Sequence, residues 1–313
     1  MRILVTGGCG FIGSHITEAL LAEGHEVGLF DDLSSGYERN IEHLRSAVTF
    51  VQGDIRDTAA LDEVMQGVEG VFHEAALVSV FASVETPSEN HAINITGTLN
   101  VLEAARKAGV RRVVMAASAA AYGNNPDLPK REDMLPEPES PYALAKIAGE
   151  HYMTVYARLY GLQTVSLRYF NVYGPRQDPG SMYSGVISKF ADRILQGQAP
   201  LVFGDGKQTR DFVYVADVAR ANLLAMQVPS LGNGEVINIG TGQGTSLLDL
   251  LDAFRELTGR DFVPEFHDTR TGDVRDSVAD ISRARDRLGY KPRYGMRDGL
   301  KELLASLCDG QAD

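Results

Sequence analysis

A short apolar run, Ile3–Val5, leads directly into Thr6-Gly7-Gly8-Cys9-Gly10-Phe11-Ile12-Gly13, which opens a stretch with helical spacing. Glycines at such a strand-to-helix turn let the backbone approach a pyrophosphate, which the N-terminus of the helix then holds. The turn belongs to a strand–helix–strand unit, and that unit demands a parallel sheet with right-handed crossovers and helices on both faces. Further apolar runs follow at Val27–Phe30, Val48–Val51, Val71–Phe72, Val113–Ala116 and Thr164–Leu167, separated by helix-like stretches. The expected fold class is therefore α/β, a doubly wound Rossmann-type parallel sheet over 1–170, with ligands at the carboxyl ends of its strands.

From Asn171 the pattern is less regular and is punctuated by Gly174-Pro175, Asp178-Pro179-Gly180 and Gly204-Asp205-Gly206. A smaller mixed α/β substrate-binding domain is expected over 171–211 and 241–313. A segment from about 212 to 240 is expected to return to the first sheet, with a strand at Glu235–Ile239.

Gly7, Gly10, Phe11, Ile12 and Gly13 are the candidate phosphate-binding positions. Asp31 ends the second run, where a carboxylate can accept from both ribose hydroxyls of an adenosine and would repel a 2′-phosphate, favouring NAD over NADP. Asp31 and Asp32 also suit a turn or cap ahead of Leu33-Ser34-Ser35-Gly36. Asp54-Ile55 can offer an acceptor to the adenine amino group and an apolar contact to its ring. Ala75 and Ala76 leave room for a dinucleotide and equally suit packing.

Ser140-Pro141 is a good N-cap and first helical residue, and Tyr142 and Lys146 follow at the i, i+4 spacing that puts them on one helix face. A phenol with an ordinary pKa near ~10 is a poor base at neutral pH. The Lys146 ammonium and a positive nicotinamide are expected to lower it, with Lys146 also donating to the nicotinamide ribose. Ser118, at the end of the fifth strand, can hydrogen-bond a reacting alcohol or carbonyl.

Composition narrows the partners. Acidic residues outnumber basic ones 42 to 30, a net charge of -12 that repels polyanions, so nucleic acid is not expected. Cys9 and Cys308 are the only cysteines, too few for a disulfide framework or a metal knuckle. No run approaches the ~20 apolar residues of a membrane span, and the chain enters its first strand too early for a signal peptide. A cytoplasmic setting is expected.

Together, 6–13, Gly53-Asp54-Ile55, Ser118 with Tyr122-Gly123, Tyr142-xxx-Lys146, Arg168-Tyr169-Phe170-Asn171-Val172-Tyr173-Gly174-Pro175, Arg210-Asp211-Phe212 and Arg270-xx-Asp273 resemble the extended short-chain dehydrogenase/reductase family. Within it, they resemble the nucleotide-sugar epimerases. The resemblance spans essentially the whole chain and implies bound NAD in the first domain and a uridine or thymidine diphospho-sugar under the second. It further implies cofactor contacts from Ser34, Gly36, Asn94 and Tyr169. On the substrate side it implies Asn171, Arg210 and Arg270 at the phosphates, Asp273 at the nucleotide ribose, and Ser79, Val186 and Ser277 lining the pocket. Guanidinium groups suit the diphosphate because they form paired, charge-assisted hydrogen bonds.

Related dehydratases and decarboxylases carry acid/base groups directly after the active-site Ser or Thr, where this chain has Ala119 and Ala120. Alanines cannot move a proton, so a 4-epimerase of UDP-glucose and UDP-galactose is expected in preference to them. The small Ser277 leaves room for UDP-N-acetylglucosamine and UDP-N-acetylgalactosamine. UDP-glucuronate, a dehydratase or decarboxylase, and a non-catalytic NAD sensor are the competing readings. Val78 departs from members that carry lysine there. Apolar residues on several sides of the helices at 87–108 and from Tyr142 onward, which family dimers pair into a four-helix bundle, point to a homodimer.

Overall fold

The computed structural model describes residues 1–180, 185–269 and 274–309. Six strands occupy the first half: β1 (Arg2–Thr6), β2 (Glu26–Asp31), β3 (Val48–Gln52), β4 (Gly70–His73), β5 (Arg112–Ser118) and β6 (Gln163–Tyr169). Between them run α1 (Phe11–Ala22), α2 (Thr58–Val64), α3 (Val80–Glu85), α4 (Pro87–His91), α5 (Thr98–Ala108) and α6 (Pro141–Tyr160). A π-helical turn, Ala92–Gly97, joins α4 to α5 without a break.

The second half contributes β7 (Asn171–Tyr173), β8 (Leu201–Phe203), β9 (Thr209–Arg210), β10 (Phe212–Tyr214) and β11 (Asn233–Ile239). Then come β12 (Thr245–Ser246), β13 (Glu265–His267) and β14 (Asp276–Ser277). Its helices are α7 (Val186–Leu195), α8 (Val215–Gln227), α9 (Leu247–Thr258), α10 (Ser282–Leu288) and α11 (Met296–Asp309).

Seven strands form one parallel sheet in the order β11-β6-β5-β4-β1-β2-β3. The strand order reverses between β1 and β4, and the crevice beyond the carboxyl ends of these two strands is where such sheets take their ligands. Strands covered on both faces must be apolar along their whole length, and β4 (GVFH) is buried at all four positions. One face packs Ile3, Val5, Val114 and Leu167 against Ile16 and Leu20 of α1 and Val218 of α8. The other packs Leu4, Val71 and Val113 against Leu61 of α2, Leu102 of α5 and Met153 of α6. Each such side chain contributes about 1.5–3 kcal/mol on burial.

Phe212–Tyr214 does not enter the large sheet but pairs with Asn171–Tyr173 in a separate two-stranded one. The return to the first layers thus begins with α8 at Val215 and finishes with β11 against β6. Arg112, 1% exposed, secures this return by donating to the carbonyls of Ala225, Met226, Val228 and Leu231 at 2.7–2.9 Å. Ala225 and Met226 are in the last turn of α8 and Val228 and Leu231 in the chain that leaves it, so the buried guanidinium is satisfied by carbonyls at this turn. Beyond the sheet, α7, α9 and α11 enclose a second core around Phe190, Ile194, Leu250, Phe254 and Leu303. Among the described residues, no helix is long and apolar enough to cross a membrane.

Candidate active site

The glycines at the head of α1 are required by close backbone contact. A Cβ on Gly13 would lie 2.1 Å from Gly7 O, and one on Gly7, whose φ is +71°, would lie 2.6 Å from Ala75 N. The turn therefore packs directly on the chain leaving β4. Gly10 is the N-cap of α1 and provides no side chain to bond the first-turn amides. Open amides at the positive end of a 12-residue helix fit a pyrophosphate, and the small Ala75 and Ala76 keep the crevice beside them clear.

Asp31 stands where the adenosine ribose was expected, with both carboxylate oxygens already accepting from the backbone, Oδ2 from Cys9 N at 2.9 Å and Oδ1 from Leu33 N at 2.8 Å. It locks the glycine turn to the loop after β2, and burial pushes its pKa up. Both readings of Asp31 are thus compatible, since each oxygen retains a second lone pair. Asp32 caps its own loop through Ser34 N and Oγ, and Gly36 lies against Cys9, where a Cβ would meet Cys9 C at 2.9 Å. Asp54 is chelated by Arg56, which holds its carboxyl below the ordinary range, while Ile55 is buried against Gly97.

Asn94 lies in the π-helical turn and its amide is engaged within the protein. Oδ1 accepts from Leu77 N at 2.8 Å, and Nδ2 donates to Leu77 O and Asn90 Oδ1. It fixes the segment after Ala75-Ala76, and the irregular helix turn is what aims it there. Ser79 caps α3 by accepting from Ala82 N.

Ser118, Tyr142 and Lys146 converge at the carboxyl end of β5. Ser140 caps α6 by accepting from Ala143 N at 3.1 Å, so the helix starts at Pro141 and its first turn presents Tyr142. The Tyr142 amide donates to Ser83 Oγ at 3.1 Å, tying this turn to α3. Lys146, 7% exposed, donates from Nζ to Ala116 O at 2.9 Å, and Nζ lies 5.9 Å from the centre of the Tyr142 ring. Two further donors of its ammonium are left for other partners.

Without a nicotinamide beside it, the pair is governed by burial. Burial raises the Tyr142 phenol above its ordinary value and Glu74 raises it further, opposed by a hydrogen bond from Ser118. Lys146 is itself lowered by burial, to about 8, with Glu74 and Glu150 pulling it back up. The lysine thus does not make the phenol acidic in the protein by itself. Desolvation, invisible in a pair of residues four apart, is the largest influence on the phenol.

On the far side of the crevice, Ser277 of β14 pairs with Arg210 of β9. Their register is fixed by Asp211, fully buried, which accepts from Thr241 N, Thr241 Oγ1, Gly242 N and Ala279 N at 2.6–3.2 Å. Arg210 Nη1 donates to Thr209 O and Arg275 O. Asn171 is exposed at the head of β7, next to Phe212, and Val186 is half-buried at the start of α7. Arg270 and Asp273 lie outside the described residues.

A family model for NAD dependent epimerases and dehydratases matches residues 3–240. The chain belongs to this family. NAD is accordingly its cofactor, as the glycine turn and Asp31 indicate. The UDP-glucose 4-epimerase of Mycolicibacterium smegmatis is 43% identical over 310 residues, 97% of each chain. A UDP-glucose 4-epimerase from Thermotoga maritima, solved with UDP-glucose, is 42% identical with a TM-score of 0.94, covering 99% of this chain and 100% of its own. A UDP-N-acetylglucosamine 4-epimerase from Methanobrevibacter ruminantium, solved in complex with UDP-N-acetylmuramic acid, is 37% identical with a TM-score of 0.94, covering 99% and 98%.

For an epimerase/dehydratase of this family, one group beside Tyr142 and Lys146 escapes the motif reading. Glu74 directly follows β4 and accepts from Tyr169 OH at 2.9 Å. Its signal in the sequence is slight: a carboxylate at a strand's end, one position ahead of the two alanines that make room for the dinucleotide.

Proposed function

We propose that this protein inverts the C4 configuration of UDP-sugars. The observation that carries the reading is the grouping of Ser118, Tyr142 and Lys146 at the end of β5, with only Ala119 and Ala120 where elimination chemistry would need an acid and a base. The UDP-sugars in the names of the relatives above support the same substrate class.

Gly7, Gly10 and Gly13 would hold the NAD pyrophosphate and Asp31 the adenosine ribose, with Lys146 at the nicotinamide ribose. When bound, NAD supplies an acceptor for the C4 hydride and a donor that returns it. Tyr142, ionised only once the positive nicotinamide adds to the field of Lys146, would take the proton of the sugar 4-hydroxyl as that hydride departs, leaving a 4-keto sugar, and would give the proton back when the hydride returns to the opposite face. Ser118 donates its one hydroxyl proton to the C4 oxygen. Arg210, Asn171 and Arg270 grip the diphosphate while the keto sugar turns over beneath it.

Ser277, small and half-buried on β14, leaves room for an N-acetyl group. Proton NMR on UDP-galactose and UDP-N-acetylgalactosamine is expected to find each converted to its C4 partner. Ser277→Tyr is expected to cut kcat/KM for the N-acetylated sugar by ~10-fold or more and to change the plain hexose less. Formation of a 4-keto-6-deoxy sugar or a pentose would move the protein to the dehydratases or decarboxylases.

A homodimer belongs to the same reading. Leu144, Val155 and Leu159, on one side of α6, are 56%, 43% and 70% exposed, apolar surface that a symmetry-related helix pair would cover.

A further inference from the structure

We infer that Glu74 is a positioning residue that biases the bound cofactor toward its oxidised form, by facing the nicotinamide end of the crevice with a carboxylate held in place by Tyr169. The inference rests on the NAD site and on no assignment of the sugar.

The geometry fixes Glu74 at both ends. Its amide donates to Thr6 O at 3.0 Å, which seats it against the glycine turn, where a Cβ on Gly7 would lie 2.9 Å from Glu74 C. Its Oε1 accepts from Tyr169 OH at 2.9 Å, and that hydroxyl accepts in turn from Asn222 Nδ2 of α8 at 2.8 Å. The carboxylate therefore stands among the ends of β1, β4 and β6. Among the described residues, it is the one carboxylate that acts electrostatically on both Tyr142 and Lys146. Glu150, which also acts on Lys146, is bound to Arg168.

Lys146 sets the need for such a group. Its ammonium, required at the nicotinamide ribose, repels the oxidised ring, which carries a positive charge, and leaves the neutral reduced ring untouched. A site with this cation alone would favour the reduced form and strand the keto sugar before its hydride is returned. A carboxylate in the same desolvated corner offsets the ammonium and restores the preference for the oxidised ring.

The titratable and charged groups facing Glu74 are Tyr169 from β6 and Tyr142 and Lys146 from α6, while α8 presents the neutral Asn222 and β1 a carbonyl. Burial pushes Glu74 up to about 7, against the pull of Tyr169 and Lys146. Above that pH the charge is present and the bias holds; below it the carboxyl is neutral and the bias fades.

The test uses the holoprotein without sugar. Protein equilibrated with mixtures of free NAD and NADH until the bound ratio is constant is freed of excess nucleotide, and the bound ratio is read from the near-ultraviolet absorbance of the reduced ring. Glu74→Gln keeps an acceptor for Tyr169 and removes only the charge. It is expected to shift the bound ratio toward NADH by ~10-fold, about 30 mV for a two-electron couple. Glu74→Ala should match it, whereas Tyr169→Phe, which keeps the charge, should shift the ratio less. In the unaltered protein the bound share of NAD should rise with pH through about 7. An unshifted ratio in Glu74→Gln, or a shift in Glu74→Ala alone, would reduce Glu74 to a hydrogen-bonding strut and overturn the inference. Should Glu74→Gln not fold, a pH-independent ratio in the unaltered protein overturns it equally. Because no sugar is present, failure here leaves the C4 chemistry to stand or fall by the NMR experiment.

Discussion

Tyr142→Phe is expected to lower kcat by about 10³-fold, within the range that a positioned acid/base group contributes. The ring and its packing on α6 are kept, so the fold and the NAD content should be those of the unaltered protein. The phenol is half-buried at the end of β5, with Ser118 near it and Lys146 beside its ring. Glu74, the carboxyl group that acts on the phenol, is itself bonded to Tyr169. A KM near the original value alongside the lost kcat would mark the phenol as acting in the transition state and not in binding. Activity within a few-fold of the unaltered protein would exclude Tyr142 as the essential base.

The largest expected loss of stability comes from Glu150→Ala. Glu150 and Arg168 form a two-pronged ion pair between α6 and β6, with bonds of 2.8 and 2.7 Å and side chains only 5% and 4% exposed. Arg168 also lies over the Tyr122 ring at 4.8 Å, so the pair supports the turn that follows Ser118. Removing the carboxylate leaves a buried guanidinium uncompensated, at a cost of about 3–5 kcal/mol. A drop in Tm on the order of 10 °C should follow in thermal unfolding. Replacing both partners by methionine removes the two charges together and is expected to recover most of that loss. A Glu150→Ala protein as stable as the original would show that water or another group reaches Arg168.

Much of this architecture could be read directly from residue patterns. Runs such as Ile3–Val5 and Val113–Ala116 are apolar at consecutive positions because parallel strands are covered on both faces, and the structure places them as β1 and β5 of one sheet with β4 between them. Ser118, Tyr142 and Lys146 were legible because a helix cap and a four-residue spacing are local facts. What escaped the sequence depends on distance through space. The phenol's pKa direction is set by burial and by Glu74, which lies 68 positions earlier in the chain. Asn94 holds Leu77 because a π-helical turn rotates it there, and no periodicity in 92–97 announces that turn. Asp54 carries an ion pair with Arg56 that a motif of three residues cannot disclose. The exact start of the returning segment is not legible either, because Phe212–Tyr214 has the apolar character of a core strand yet pairs with β7 outside the large sheet.

The central claim is that a single hydride leaves C4 and comes back to the same carbon without meeting solvent. UDP-galactose deuterated at C4, incubated with the protein in ordinary water and followed by NMR and mass spectrometry, tests it most directly. UDP-glucose that keeps the deuterium at C4, with none appearing in water, is the predicted result. Inversion at C4 accompanied by loss of the label to solvent would contradict it, because the hydrogen would then have travelled as a proton.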